Sequence, residues 1–289
     1  MHGDVVILTC AISAPERSGS SFTPADHAAE ARRARDAGAS MIQVLDRHPD
    51  GSPSFEVDDV HALVDAVRAA VPEVVLSLGA ASTGGLVEQR IACLKAACPD
   101  AAAIRMGPTD AAADPFKLIV KLLTAADRLG IRPEHQCFDS GHVARLDPLL
   151  ELDVLDSPLL IAMVMGAPGG IRATARNLAH MADQIPAGSD GPHNWGVIAR
   201  GREQWTLLAA ALALGGNVRV GTEDNDRLPD GTRATSNGEL VDFARRLIEL
   251  TGRRVATPGE ARATLGVPRR IAPASCLAQT RGSHADGAR

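Results

Sequence analysis

Along the chain, short runs of β-branched and aliphatic residues alternate with longer alanine-rich stretches in which apolar positions recur every three to four residues. The short runs predict buried strands and the longer ones amphipathic helices. Strand patterns fall at 5–10, 40–46, 74–78, 101–106, 133–138, 159–164, 194–198 and 217–221. Helical patterns follow them at 24–37, 57–70, 86–97, 115–129, 143–150, 173–184, 202–214 and 238–251. Punctuation agrees, because Thr23 before Pro24 and Asp114 before Pro115 each read as an N-cap with proline at the first helical position, and Gly38 follows the first helix. Eight β/α units of this length predict an α/β fold closed into a (β/α)₈ TIM barrel, with an open doubly wound sheet as the rival. The barrel is expected to occupy 1–271 as one domain. The segment 272–289, poor in apolar residues, is expected to be a flexible tail.

Composition narrows the class. A chain of 289 residues with 45% apolar and 22% charged content can bury a large core, which excludes disordered and collagen-like classes. The net charge of −5, without a basic stripe, leaves no footprint for nucleic acid or an anionic membrane surface. No apolar run approaches the roughly 18 residues of a membrane span, and no basic-then-apolar leader opens the chain, so a cytoplasmic protein is expected. Cys10, Cys93, Cys98, Cys137 and Cys276 lack zinc-finger spacing and are expected to be reduced structural thiols.

A barrel turns residue order into geography, since active sites on this architecture form where strands end. The polar residues at predicted strand ends are Glu16, Arg47, the run Ser82, Thr83, Gly84 and Gly85, then Arg105, Gln136 and Asp139. Further along come the glycine-rich turn 166–170, Arg200 and Arg202, and finally Arg219, Glu223 and Asp224. This clustering argues for an enzyme. Each feature also has a plainer reading: Glu223 and Asp224 as partners of Arg219, the glycine turn as a turn only, and His48, His142 and His193 as solvated or hydrogen-bonded structure.

Taken in series, several segments resemble the β-keto acid cleavage enzyme family. They are LTCAIS at 8–13, TPADHAAEARRARDAGAS at 23–40, DGSPS at 50–54, STGG at 82–85, PEHQCFDSG at 133–141, GAPGG at 166–170, GGNVRVGTEDN at 215–225, SNGELV at 236–241 and GRRVATPGEAR at 252–262. The resemblance implies a TIM barrel, usually a homo-oligomer, that condenses a β-keto acid with an acyl-CoA, commonly acetyl-CoA, and releases acetoacetate and a new acyl-CoA. It also implies a divalent metal, usually zinc, held by a His-X-His pair on the second strand and a glutamate on the eighth.

Carried onto this chain, the resemblance makes Asp224 the general base and Arg219 the arginine beside it, and places Glu223 at the metal-binding glutamate. Ser82, with Thr83, Gly84 and Gly85, positions substrate, and Glu16 contacts its far end. Gly169 and Gly170 form part of an anion-binding nest for a phosphate of coenzyme A, or only a turn. Gln43 and Leu45 stand at the two histidine positions, with Arg47 two residues on. Residues 43, 45 and 47 alternate onto one face, and Leu45 has no lone pair, so no metal ligand is predicted. A one-residue slip would bring Asp46 and His48 inward at the cost of turning the buried face out. Gln136 replaces a glutamate and Arg105 an asparagine, so Arg105 and Arg47 are expected to hold a carboxylate or polarise a carbonyl. The resulting expectation is a C–C bond cleaving and condensing enzyme on a β-keto acid, metal-independent or altered in mechanism, with acetyl-CoA as co-substrate and no other cofactor. A metal-free lyase that does not use coenzyme A and a non-catalytic ligand-binding barrel are the alternatives.

Overall fold

The computed structural model describes residues 4–13, 22–48, 52–79, 86–107, 114–189 and 191–267. In chain order the strands are β1 (Val5–Val6), β2 (Leu8–Ile12), β3 (Met41–Val44), β4 (Val75–Leu78) and β5 (Ala101–Arg105), then β6 (Arg132–Cys137), β7 (Leu160–Met165), β8 (Asn194–Ala199), β9 (Asn217–Val220) and β10 (Arg254–Val255). Strands β2 to β9 close into an eight-stranded barrel, every neighbouring pair parallel, with β9 returning to β2 through Thr9 opposite Arg219. The main helices are α1 (Pro24–Asp36), α2 (Val57–Ala70), α3 (Val87–Ala97), α4 (Pro115–Arg128), α5 (Ser140–Ala144), α6 (Leu146–Glu151), α7 (Ala175–Asp183), α8 (Gln204–Ala213), α9 (Asn237–Leu250) and α10 (Pro258–Leu265). The TIM barrel read from periodicity is the fold.

Helix starts follow the predicted chemistry. The Thr23 hydroxyl accepts from Asp26 N at 3.2 Å, and the Asp26 carboxylate accepts in return from Thr23 N at 2.9 Å, a reciprocal capping box. Asp114 caps α4 by accepting from Phe116 N at 3.0 Å.

Two elements and one thiol differ from expectation. The predicted strand 5–10 is divided, because Val5–Val6 leaves the barrel to pair with Arg254–Val255 while the barrel strand runs on to Ile12. The helix predicted at 143–150 is two short ones meeting at Arg145. Pro148 has no N–H to donate back to Ala144, so a continuous helix loses a rung there. The expectation of five reduced thiols holds for Cys10, Cys93 and Cys137, which are free and buried, but Cys98 is disulfide-bonded. No helix among the described residues is long and apolar enough to cross a membrane.

Alternation along the strands divides the core. Outward residues such as Cys10, Ile42, Leu76, Ile104 and Val218 pack under the helices. Inward residues Met41, Val75, Ala101 and Leu160 join Ala261 and Leu265 of α10 to fill the N-terminal end of the barrel. That end is also tied electrostatically, since Asp100 accepts from Leu76 N at 2.9 Å and from Arg262 Nη2 at 2.8 Å. With one end filled, polar inward residues are left for the middle and the opposite mouth.

Candidate active site

The C-terminal mouth is organised by a turn after β9. Gly221, at φ +136°, accepts from Asp224 N and Asn225 N at 3.0 Å each, so the chain folds back immediately after the strand. This brings Asp224 over Arg219, whose Nε donates to Oδ2 at 2.7 Å and whose Nη2 donates to Oδ1 at 3.1 Å. The Asp224 side chain is fully buried. Burial opposes the charge on Arg219, but Asp224, with Glu134 and Glu223 further off, outweighs it and pushes the guanidinium pKa up.

Behind this pair lies a second layer of polar groups. Arg219 Nη1 also donates to the amide oxygen of Gln43. Gln43 Nε2 in turn donates to Glu134 Oε2 at 3.0 Å and lies 3.2 Å from the Ser77 hydroxyl, and Gln136 Nε2 reaches the same Glu134 oxygen at 3.4 Å. Gln43 therefore links the cationic and anionic halves of the barrel interior. Glu134 was missed in the sequence, although its spacing of two from Gln136 on β6 puts both on the inner face.

Above the layer, Arg47 turns onto Glu223, with Nη2 2.5 Å from Oε1 and Nε 3.3 Å from Oε2. Arg200 approaches more loosely, 3.7 Å from Glu223 and 4.0 Å from Asp224. Arg105 stacks its guanidinium 4.1 Å above the centre of the Phe138 ring. Its Nε is buried without a hydrogen-bond partner among the described residues. Burial pushes the Arg105 pKa down, Asp139 partly offsets this, and the charge of Arg200 lowers it further. Gln43, Leu45, Gln136, Phe138, Arg200, Arg219 and Glu223 line one pocket at this mouth.

The expected site residues are therefore largely brought together. Arg219, Glu223, Asp224, Arg47, Gln136 and Arg105 converge on the mouth, whereas Glu16 and the run Ser82, Thr83, Gly84 and Gly85 lie outside the described residues. In the glycine turn, a side chain at Gly170 would come within 3.0 Å of Phe138 O, so this glycine lets the turn pack on the end of β6. Gly169, at φ +76°, faces open space. His142 and His193 take structural parts, accepting from Phe138 N at 3.1 Å and from Leu159 N at 3.0 Å.

The slipped register does not occur, because Gln43 pairs with Ala11 and Ser77 and faces inward, while His48 is exposed. Leu45, just past β3, offers only hydrocarbon to the pocket. Glu223 already meets a guanidinium, and among the described residues no group of three His, Cys, Asp or Glu side chains is placed to hold a metal. These side chains do not fit the divalent ion that the resemblance implies.

The profile of beta-keto acid cleavage enzymes matches residues 5–267. The chain belongs to the beta-keto acid cleavage enzyme family. It is 35% identical over 257 residues to a 3-keto-5-aminohexanoate cleavage enzyme of Acetoanaerobium sticklandii, covering 85% of this chain and 90% of the relative. It is 29% identical over 251 residues to a 3-oxoadipate:acetyl-CoA acetyltransferase of Cupriavidus necator, covering 86% and 88%. Among solved structures, apo ObcA aligns with a TM-score of 0.71 at 21% identity, covering 86% of this chain and 65% of that protein, a likeness of fold. An amide, a hydrocarbon and a guanidinium face Glu223 at the positions where the family likeness implied two histidines and a metal.

Proposed function

We propose that this member of the family exchanges acyl groups between a β-keto acid and acetyl-CoA, and that it does so without a resident divalent metal. The observation that carries the proposal is the buried Asp224 carboxylate, fixed by two hydrogen bonds from Arg219, which itself lines the pocket. The names of several relatives support the co-substrate, among them the 3-oxoadipate:acetyl-CoA acetyltransferase and a 3-dehydrocarnitine:acetyl-CoA trimethylamine transferase of Rhizobium meliloti. The cytoplasm and a homo-oligomer belong to the proposal on the sequence reading and family likeness alone.

In this reading Asp224 takes a proton from the methylene between the keto group and the carboxylate. The resulting carbanion forms a C–C bond to the acetyl carbonyl of acetyl-CoA, and the coenzyme A thiolate leaves. That thiolate then attacks the original keto carbon, the C–C bond to the methylene carbon breaks, and the carbon regains a proton from Asp224. The products are acetoacetate and a new acyl-CoA, so atoms and charge balance. Arg219 holds the carboxylate oriented through the proton's departure and return, and Gln43 fixes Arg219 from behind. Gln136 and Arg105 contact substrate from the opposite wall, and Glu16 with the STGG run complete the site as the family likeness implies.

The test is incubation with acetyl-CoA and a panel of β-keto acids, following acetoacetate and the new thioester by mass spectrometry. Asp224→Asn is expected to reduce turnover by roughly 10²–10⁴-fold. Absence of product across the panel, or undiminished turnover by the variant, defeats the reading. Thioester-free cleavage of the acid would point instead to a lyase that does not use coenzyme A.

A further inference from the structure

We propose that Arg200 and Arg105 form a clamp for the C1 carboxylate of the β-keto acid, which makes Arg200 a substrate-recognition residue. The inference rests on the acyl-exchange reading for the identity of the ligand, but its geometry is independent of turnover. Among the described residues four guanidiniums reach the mouth, and two are committed: Arg219 to Asp224 at 2.7 Å, and Arg47 to Glu223 at 2.5 Å. Among the described residues Arg200 has only its distant approaches at 3.7 and 4.0 Å, beyond hydrogen-bond length, and its side chain, which lines the pocket, is 41% exposed. Arg105 is held in place by the Phe138 ring, yet its Nε is buried and unpartnered among the described residues.

Phe138, under Arg105, and Arg200 line the same pocket, and burial with the charge of Arg200 outweighs the help Arg105 has from Asp139, so an anion between the two guanidiniums would gain charge-assisted hydrogen bonds from both. A planar carboxylate matches the guanidinium fork. The position also identifies which anion. Arg200 Nε is 4.0 Å from Asp224 Oδ1, so a carboxylate gripped by Arg200 carries its adjacent methylene toward the base. In a β-keto acid that methylene is the acidic one. As the proton leaves, negative charge develops on the methylene carbon and the keto oxygen, next to a carboxylate whose own charge the two guanidiniums already balance. A phosphate of coenzyme A is the other anion available, but it carries no acidic methylene to present to Asp224, which Arg200 approaches at 4.0 Å.

Calorimetry would measure acetoacetate, methyl acetoacetate and coenzyme A separately on the wild-type protein and on Arg200→Gln, Arg105→Gln and Arg200→Lys. The expected result is binding of the acid in preference to its ester. Each glutamine variant should lose roughly tenfold to a hundredfold in affinity for the acid alone, and Arg200→Lys should recover part of it. Equal binding of acid and ester by the wild type, or variants that weaken coenzyme A and spare the acid, overturns the clamp. If Arg105→Gln does not fold, the partly exposed Arg200 carries the test by itself. Acid-selective binding without any acyl exchange would leave the clamp standing while the catalytic reading falls.

Discussion

Arg47 and Glu223, 176 residues apart in sequence, meet across the end of β2 with Nη2 to Oε1 at 2.5 Å and Nε to Oε2 at 3.3 Å. The pair joins the segment after β3 to the turn after β9, and its side chains are 24% and 8% exposed. A carboxylate that the family likeness would give to a cation is thus neutralised by the protein's own guanidinium.

The first prediction concerns that pair. Arg47→Met leaves the Glu223 carboxylate largely buried, with Arg200 at 3.7 Å and Arg219 further off as the remaining cations among the described residues. The loss is expected to be on the order of 2 kcal/mol, less than for a fully dry pair because Arg47 keeps some contact with water. The double variant Arg47→Met with Glu223→Leu removes both charges and should recover much of the loss. Urea midpoints of the single and double variants decide the matter, and equal midpoints would show that the pair does not stabilise the fold.

A second prediction concerns metal affinity. Gln43 faces into the barrel and Leu45 lines the same pocket, so Gln43→His with Leu45→His places two imidazoles beside Glu223. Three such ligands suit zinc. The double variant is expected to hold stoichiometric zinc after dialysis, measured by elemental analysis, while the wild type purified without chelators holds none. A tightly bound transition metal in the wild type would contradict the metal-independent reading.

Much of this was legible in the chain. The 3.6 and 2.0 periodicities, with caps at Thr23 and Asp114, located the eight β/α units, because burial and backbone satisfaction are local demands. Strand-end polarity placed Arg219, Glu223 and Asp224 together. The side-chain pairing was not legible. Nothing in the sequence says that Arg47 chooses Glu223, or that Gln43 bridges Arg219 to Glu134, since those partners are fixed by barrel closure and register. The departure of Val5–Val6 from the barrel was hidden for the same reason, as its partner strand lies at the far end of the chain.

Gly221 supplies a third prediction. A Cβ there would lie 2.1 Å from Ala11 O and 2.7 Å from Ala11 N, and the residue is at φ +136°. Backbone cannot yield as a flexible side chain does. Gly221→Ala is therefore expected to cost about 2–4 kcal/mol and to displace the turn that carries Asp224. Thermal unfolding reads the first effect. Weakened acyl exchange at temperatures where the variant is fully folded reads the second, and a variant as stable as wild type would contradict the close approach.

The last prediction follows from His135, which β6 turns outward beneath the helices. Its Nδ1 donates to Leu160 O at 2.9 Å, and its Nε2 is buried without a partner among the described residues. Burial pushes its pKa down to about 4, helped by the neighbouring charges of Arg132 and His193 and opposed by the bond to Leu160. In the unfolded chain the ring titrates near 6.5. Between those values the unfolded state binds a proton that the folded state refuses, so stability falls as pH drops through the window and is fully retained above it. The contribution is on the order of 3 kcal/mol. His135→Met cannot take up that proton in either state. It should be less stable than wild type at pH 8, where Leu160 O loses its donor, yet lose less between pH 7 and pH 4.5. Some acid sensitivity remains, since burial also lowers the pKa values of His27, His142 and His193. Urea midpoints across the range check this, and parallel curves for variant and wild type would show that His135 is not held neutral by the fold.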